Sequence, residues 1–234
     1  MIKKVDLLPD ISIDTMSLAR IYAQEKAFSG SVLENDFWVQ ETDGKITSII
    51  SSDGGSMNIY CRNANFEELN VFLQALLPAI IFTEFENAEK LNLVPRRVRN
   101  VLVKKTEKTS DLAIAFSLRE LYERLNSGSD VDIHLPTFEV FAPDVSHRLR
   151  HNAAVAVIND FGGALCFKYK GGAVMSGIAL SPEHRGKGLG KKLLNELLSS
   201  VDGEFYVSAN DENTKFYIRN GFTKVGQAIF GNLR

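Results

Sequence analysis

The sequence predicts a mixed α+β chain made of two successive halves. Each half is expected to be a mixed, mostly antiparallel twisted sheet flanked by helices. Three observations carry this expectation. The order helix, three meandering strands, helix, strand, short helix, strand occurs twice. Glycine-rich turns separate short strand-like runs. Leucine-rich stripes at helical spacing follow the third strand of each meander. The expected domains are residues 1–105 and 106–234, related as an internal repeat. A single continuous sheet without a repeat is the alternative.

In the first half, Ile2 to Leu8 reads as a strand that ends at Pro9. Asp14 or Thr15 can cap a helix that runs to about Phe28. Phe37-Trp38-Val39 and Ile46 to Ile50 form a hairpin around Asp43-Gly44. Asp53-Gly54-Gly55 turns the chain into Met57 to Cys61. Asn65 caps a helix with the stripe Leu69, Phe72, Leu73, Leu76 and Leu77, ended by Pro78. Ala79 to Phe82 is a short strand, Glu86 to Leu93 a short helix, and Val98 to Val103 another strand.

The second half repeats the order. Asp111 is expected to cap a helix through Leu118, Leu121, Tyr122 and Leu125, with Asn126-Ser127-Gly128 as its stop. An irregular stretch with Pro136 and Pro143 follows. Ala153 to Ile158, Ala164 to Tyr169 and Ala173 to Leu180 are the meander. A helix then carries Leu189, Leu193, Leu194, Leu197 and Leu198. Phe205-Tyr206-Val207 is a strand, Glu212 to Arg219 a short helix, and Phe222 to Phe230 a closing hairpin.

Composition narrows the function classes. Of 234 residues, 44% are apolar and 24% charged, which excludes global disorder. The net charge of −2 argues against a dedicated nucleic-acid binder. Charge is evenly spread: 12 basic and 14 acidic residues precede position 106, and 15 of each follow it. The longest apolar stretch, Val71 to Phe82, is broken by Gln74 and Pro78, short of the roughly 18 residues a membrane span needs. The opening Lys3-Lys4-Val5-Asp6 leaves no room for a signal peptide, so a cytoplasmic protein is expected. Cys61 and Cys166 fall in strand-like text and read as buried thiols in a reducing compartment. No His/Cys/Asp cluster has metal-ligand spacing, so no metal is expected. No Gly-x-Ser-x-Gly elbow is present, which removes a serine-hydrolase reading.

The chemistry concentrates between Ile178 and Leu194. There a buried strand runs into the turn Arg185-Gly186-Lys187-Gly188-Leu189-Gly190, which opens an amphipathic helix. Glycines at alternate positions leave the backbone bare, and the first helical turn points its unpaired N–H groups outward. With the helix dipole behind them, these groups form a phosphate cradle. Arg185, Lys187, Lys191 and Lys192 add positive charge. The spacing matches neither a P-loop nor a Gly-x-Gly-x-x-Gly dinucleotide fingerprint.

What remains is Arg185-x-x-Gly188-x-Gly190. Further on come Val207-Ser208-Ala209-Asn210 and Phe216-Tyr217-Ile218-Arg219-Asn220-Gly221-Phe222. Both motifs, in this order, resemble the GNAT acetyltransferase superfamily over residues 106–234. The resemblance implies an acyl-CoA-binding fold. By position, backbone groups of Ile178, Ala179 and Leu180 would pair with pantetheine. Amides from Arg185 through Lys191, with Gly186, Lys187, Gly188, Leu189 and Gly190 between, would hold the pyrophosphate. Asn210 would contact the cofactor, and Tyr217 would lie near the thioester sulfur.

The implied reaction is direct attack of an amine on the thioester. A backbone N–H at a strand bulge near Ile178 can stabilise the oxyanion. A tyrosine phenol, with ordinary pKa about 10, can protonate the leaving thiolate. The strand Ala173 to Ile178 carries no carboxylate, so it offers no direct base. Asp144, His147, Arg148, Arg150 and His151 are candidates for the acceptor side; a solvated strand edge is the alternative reading of the same segment.

The matching turn of the first half, Tyr60 to Glu68, has no glycine and starts its helix with Glu67 and Glu68. A pyrophosphate should not bind there, and the first half reads as a degenerate copy without a cofactor site. The expected function is transfer of acetyl from acetyl-CoA to an amine, on a small molecule or a protein, by a monomer or homodimer. The alternative is a non-catalytic acetyl-CoA-binding regulator.

Overall fold

The computed structural model describes residues 1–29, 35–111, 117–127 and 135–234. Its elements are β1 (Ile2–Val5), α1 (Met16–Phe28), β2 (Asn35–Thr42), β3 (Lys45–Asp53), β4 (Ser56–Cys61), α2 (Phe66–Leu76), β5 (Ile80–Glu84), β6 (Leu93–Thr106), α3 (Leu118–Ser127), α4 (Phe138–Arg150), β7 (Ala154–Asn159), β8 (Gly162–Tyr169), β9 (Gly172–Leu180), α5 (Leu189–Leu198), β10 (Gly203–Ala209), α6 (Asp211–Arg219) and β11 (Thr223–Leu233). The chain is mixed α/β with mostly antiparallel strand pairing. It divides into two compact units, one of Met1–Val103 with Tyr206–Arg234 and one of Lys104–Phe205. This grouping differs from the chain-order halves: from Tyr206 onward, the end of β10 with α6 and β11 groups with the first 103 residues.

In the first unit the strands follow the order β1-β2-β3-β4-β5-β11-β6. β4 and β5 are parallel, and α2 makes the crossover between them. The hairpin between β2 and β3 turns at Asp43 and Gly44, both at positive φ, as the Asp-Gly pair predicts. Thr15, not Asp14, caps α1, its hydroxyl accepting from Leu18 N at 3.3 Å. Leu69 and Leu73 of α2 are buried with Ile50, Ile59, Ile81 and Ile229. At the end of β5 the half-buried Glu84 accepts from Ser17 N at 3.0 Å and Ser17 Oγ at 2.6 Å.

The expected closing hairpin is absent. Residues 223–233 form one long strand that inserts between β5 and β6, antiparallel to both, with Phe230 opposite Phe82 on one side and Arg97 on the other. A strand bonded along both edges needs no hairpin partner of its own.

In the second unit β7, β8 and β9 form an antiparallel meander. α3 and α4 bury Leu121, Leu125, Phe141 and Val145 against Ala154, Ala156, Leu165 and Ala179. The expected irregular stretch around Pro143 is helix α4. Pro143 sits inside it on an exposed position, and the burial of Phe141 and Val145 outweighs its missing N–H. α3 begins at Leu118, with Ser117 Oγ accepting from Glu120 N at 3.0 Å. Ser117 therefore caps this helix in place of the expected Asp111. Residues 112–116 and the expected stop at Gly128 lie outside the described residues.

The start of β10 is pinned by a close backbone approach. Glu204 N donates to Gly171 O at 2.9 Å, and a Cβ on Gly203 would lie 2.0 Å from that oxygen. Only glycine fits there, at φ +97. Cys61 and Cys166 are free thiols, and burial pushes both up to about 12. Among the described residues no helix is long and apolar enough to cross a membrane.

Candidate active site

β9 is the strand that positions the cradle. Its register against β8 slips between the pairs Leu165–Gly177 and Cys166–Met175, so Ser176 is an extra residue with no opposite number. This is a β-bulge, which breaks the ladder and re-aims the strand. The bulge expected near Ile178 thus lies two residues earlier. Beyond it Ile178 pairs with Ala164, Ala179 with Gly163 and Leu180 with Gly162. Ala179 is buried, and Ile178 and Leu180 are half-buried.

Three backbone bonds shape the turn after β9. Ser181 N donates to Phe161 O at 3.0 Å, His184 N to Ser181 O at 2.9 Å, and Arg185 N to Pro182 O at 3.2 Å. Gly186 and Gly188 then take φ of +74 and +77, and a Cβ at either would meet nothing within 4 Å. Gly188 begins α5 with no side chain capping it and no acidic residue in the first turn. Lys191 N turns back to Gly188 O at 3.2 Å. The expected run of donors is therefore shorter than Arg185 to Lys191. The amides of Gly186, Lys187, Gly188, Leu189 and Gly190 carry no such bond among the described residues. Arg185, Lys187, Lys191 and Lys192 are exposed around them.

Sequence reasoning missed Phe161, in the turn before β8. Its ring meets His184 edge-on at 6.4 Å and lies 5.6 Å below Lys192 Nζ, tying the turn to the first turns of α5. An aromatic residue inside the turn Asn159 to Gly163 was the available signal. Buried Leu193, Leu194, Leu197 and Leu198 anchor the helix behind.

The acceptor candidates lie on α4 rather than on a strand edge. Arg148 is committed to structure: its side chain is 5% exposed, Nε donates to Asp144 at 2.9 Å, and the guanidinium stands 4.1 Å over the Phe167 ring. That removes Arg148 and one Asp144 oxygen from the surface chemistry expected of them. His147 and His151 place their rings 4.3 Å apart at the end of the helix. Arg150 is exposed.

Asn210 and Tyr217 belong to the first unit. Asn210 caps α6, its Oδ1 accepting from Asn213 N at 2.7 Å. Tyr217 is buried between Phe216 and Phe222, with ring centroids 5.1 and 5.4 Å away. Burial pushes its phenol well above the ordinary tyrosine range. Asn100 ties α6 to β6, donating to Asp211 at 2.8 Å and Thr214 at 2.9 Å.

The equivalent helix start in the first unit is built oppositely. Asn65 Oδ1 caps α2, accepting from Glu68 N at 3.1 Å, and Asn65 N donates to Gln40 at 2.9 Å. Glu67 and Glu68 occupy the positive end of the dipole. Among the described residues, no three His, Cys, Asp or Glu side chains are grouped to hold a metal ion.

A family model described as an acetyltransferase (GNAT) domain matches residues 150–224. No curated protein matches the sequence. Among solved structures, a GCN5-related N-acetyltransferase from Sphaerobacter thermophilus is similar with a TM-score of 0.54 at 14% identity, over 92% of this chain and 90% of its own. Another, from Kribbella flavida, has a TM-score of 0.52 at 11% identity, over 79% and 86%. These likenesses concern the fold alone. The glycine-rich turn into α5 and the bulged strand before it both lie within residues 150–224, the stretch that is similar to an acetyltransferase domain of the GNAT superfamily.

Proposed function

We propose that the protein is an acyl-CoA-dependent N-acyltransferase, with acetyl-CoA as donor and an amine as acceptor. One observation carries this reading: five consecutive amides, Gly186 to Gly190, with no partner among the described residues, at a helix start that lacks any cap or acid. A diphosphate needs donors of that kind and no side chain in its way. The two positive-φ glycines meet the second need. The start of α2 meets neither, so one site per chain is expected.

When bound, acetyl-CoA supplies an acyl group already activated as a thioester. The residues of this chain do the rest. Gly186 to Gly190 would hold the diphosphate, and the edge of Ile178, Ala179 and Leu180 would align pantetheine. The peptide at the Ser176 bulge would supply a donor for the thioester oxygen that gains charge when an amine attacks. On the family pattern, Tyr217 would be the proton donor to the leaving sulfur. Its raised pKa keeps it protonated across the neutral range. A cytoplasmic location goes with this reading and with the two free thiols.

Calorimetric titration with acetyl-CoA tests the proposal, together with thiol release across a panel of amines. One equivalent bound per chain and amine-dependent release are expected; no binding overturns it. The regulator reading draws on the lack of a carboxylate on β9. Binding without release from any amine would favour it.

A further inference from the structure

Ser176 is the one exposed residue of β9; the other eight are buried or half-buried. It is also the extra residue of the bulge, between Met175 and Gly177, two residues before the edge assigned to pantetheine. Its hydroxyl has no hydrogen-bond partner among the described residues. An open, unbonded hydroxyl on a central strand is a position facing ligand rather than core. β9 offers no other polar side chain.

A hydroxyl cannot deprotonate an ammonium ion, but it can accept an N–H from a neutral amine. Among the described residues, the elements packed on β9 add no base beside it: Glu204 of β10 lies against Gly172, at the other end of the strand. Glu120 and Glu123 lie on the exposed side of α3, whose buried side chains are Leu121 and Leu125. Arg124 of α3 donates to Asp160 O, and Lys168 of β8 to Asn152. Glu196 of α5 accepts from Asn159 at 3.3 Å. At the bulge itself β8 presents Leu165 and the buried Cys166.

Resting on the acyltransferase reading, we propose that the acceptor is a weakly basic amine, such as an α-amino group or an arylamine, bound in its neutral form with Ser176 Oγ accepting one N–H. The amine nitrogen forms the C–N bond as the C–S bond breaks, and the electron pair of that bond goes to sulfur. The nitrogen then releases its proton to water, and the sulfur takes up one from solvent, so the two transfers balance. Selectivity follows from arithmetic. An α-amino group of pKa about 8 holds about 230 times more neutral form near pH 7 than a lysine ε-amine of about 10.4.

The test measures kcat/KM against pH for amines of graded basicity, in the native protein and in Ser176→Ala, with acetyl-CoA affinity read by calorimetry. The acid limb should move with the pKa of each acceptor. Ser176→Ala should lower kcat/KM for the acceptor about tenfold while the acetyl-CoA Kd stays within about twofold. Three results overturn the proposal: an acid limb common to all amines, an unchanged Ser176→Ala enzyme, or preference for ε-amines. Failure to bind acetyl-CoA at all would instead overturn the acyltransferase reading beneath it.

Discussion

Glu68 accepts the backbone N–H of Ile2 at 2.8 Å, so the first strand ties a carboxylate down at the start of α2. Gln40 donates to the same carboxylate at 2.8 Å. α5, the matching helix of the other unit, has neither acid nor cap at its start. Two helices in equivalent places thus offer opposite electrostatics. The cofactor stoichiometry should be one per chain, and Glu68→Ala should leave it at one while lowering stability by about 1 kcal/mol. A second equivalent in calorimetry would contradict the assignment.

Gly188→Ala should fold and fail to bind. No atom stands within 4 Å of the added methyl, but φ is +77. The cost in stability is about 1 kcal/mol. The methyl would sit among the open amides, so the acetyl-CoA Kd should rise at least about tenfold. Unchanged circular dichroism with unchanged affinity would refute the cradle.

Tyr217→Phe should cut turnover while leaving the acetyl-CoA Kd alone. Because burial raises the phenol pKa, the donating form persists to higher pH than in a free tyrosine. Activity should therefore show no alkaline loss from this residue below about 10. Full turnover in Tyr217→Phe would remove it from the mechanism.

Arg148→Ala should destabilise the protein by about 3 kcal/mol, because it strands Asp144 and uncovers Phe167. Arg150→Ala, at an exposed position two residues on, should fall within about 0.5 kcal/mol of the native protein. Urea denaturation compares them. Equal effects would deny the Arg148–Asp144 pair its role.

Glu84→Gln should stabilise the fold at neutral pH. Burial raises the Glu84 pKa above the ordinary 4.5, and the two bonds from Ser17 only partly offset this. A raised carboxyl contributes stability that is complete below the unfolded pKa and is lost as pH rises through the folded one. The amide escapes that loss. Its melting temperature should exceed the native value at pH 7 and converge with it near pH 4. A deficit equal at both pH values would count against the buried charge.

Local chemistry explains what could be read in advance. The Asp43-Gly44 turn, the Asn65 cap and the α5 leucine stripe depend on neighbours within a few residues, and the structure shows all three. The glycines at 186 and 188 were legible for the same reason. α4 was not, because Pro143 signals a break that only tertiary burial of Phe141 and Val145 overrides. The Ser176 bulge depends on register against β8, and the fate of Arg148 on Phe167, a residue of another element. Neither pairing is written in the local text.

The insertion of β11 has a consequence for biosynthesis. β5 and β6 each bond to residues 223–233 rather than to one another. The ribosome makes that segment after everything it joins. Through most of translation the nascent chain therefore carries two sticky edges that nothing yet seals. An early stop codon would leave an incomplete N-terminal unit, not a shorter working protein.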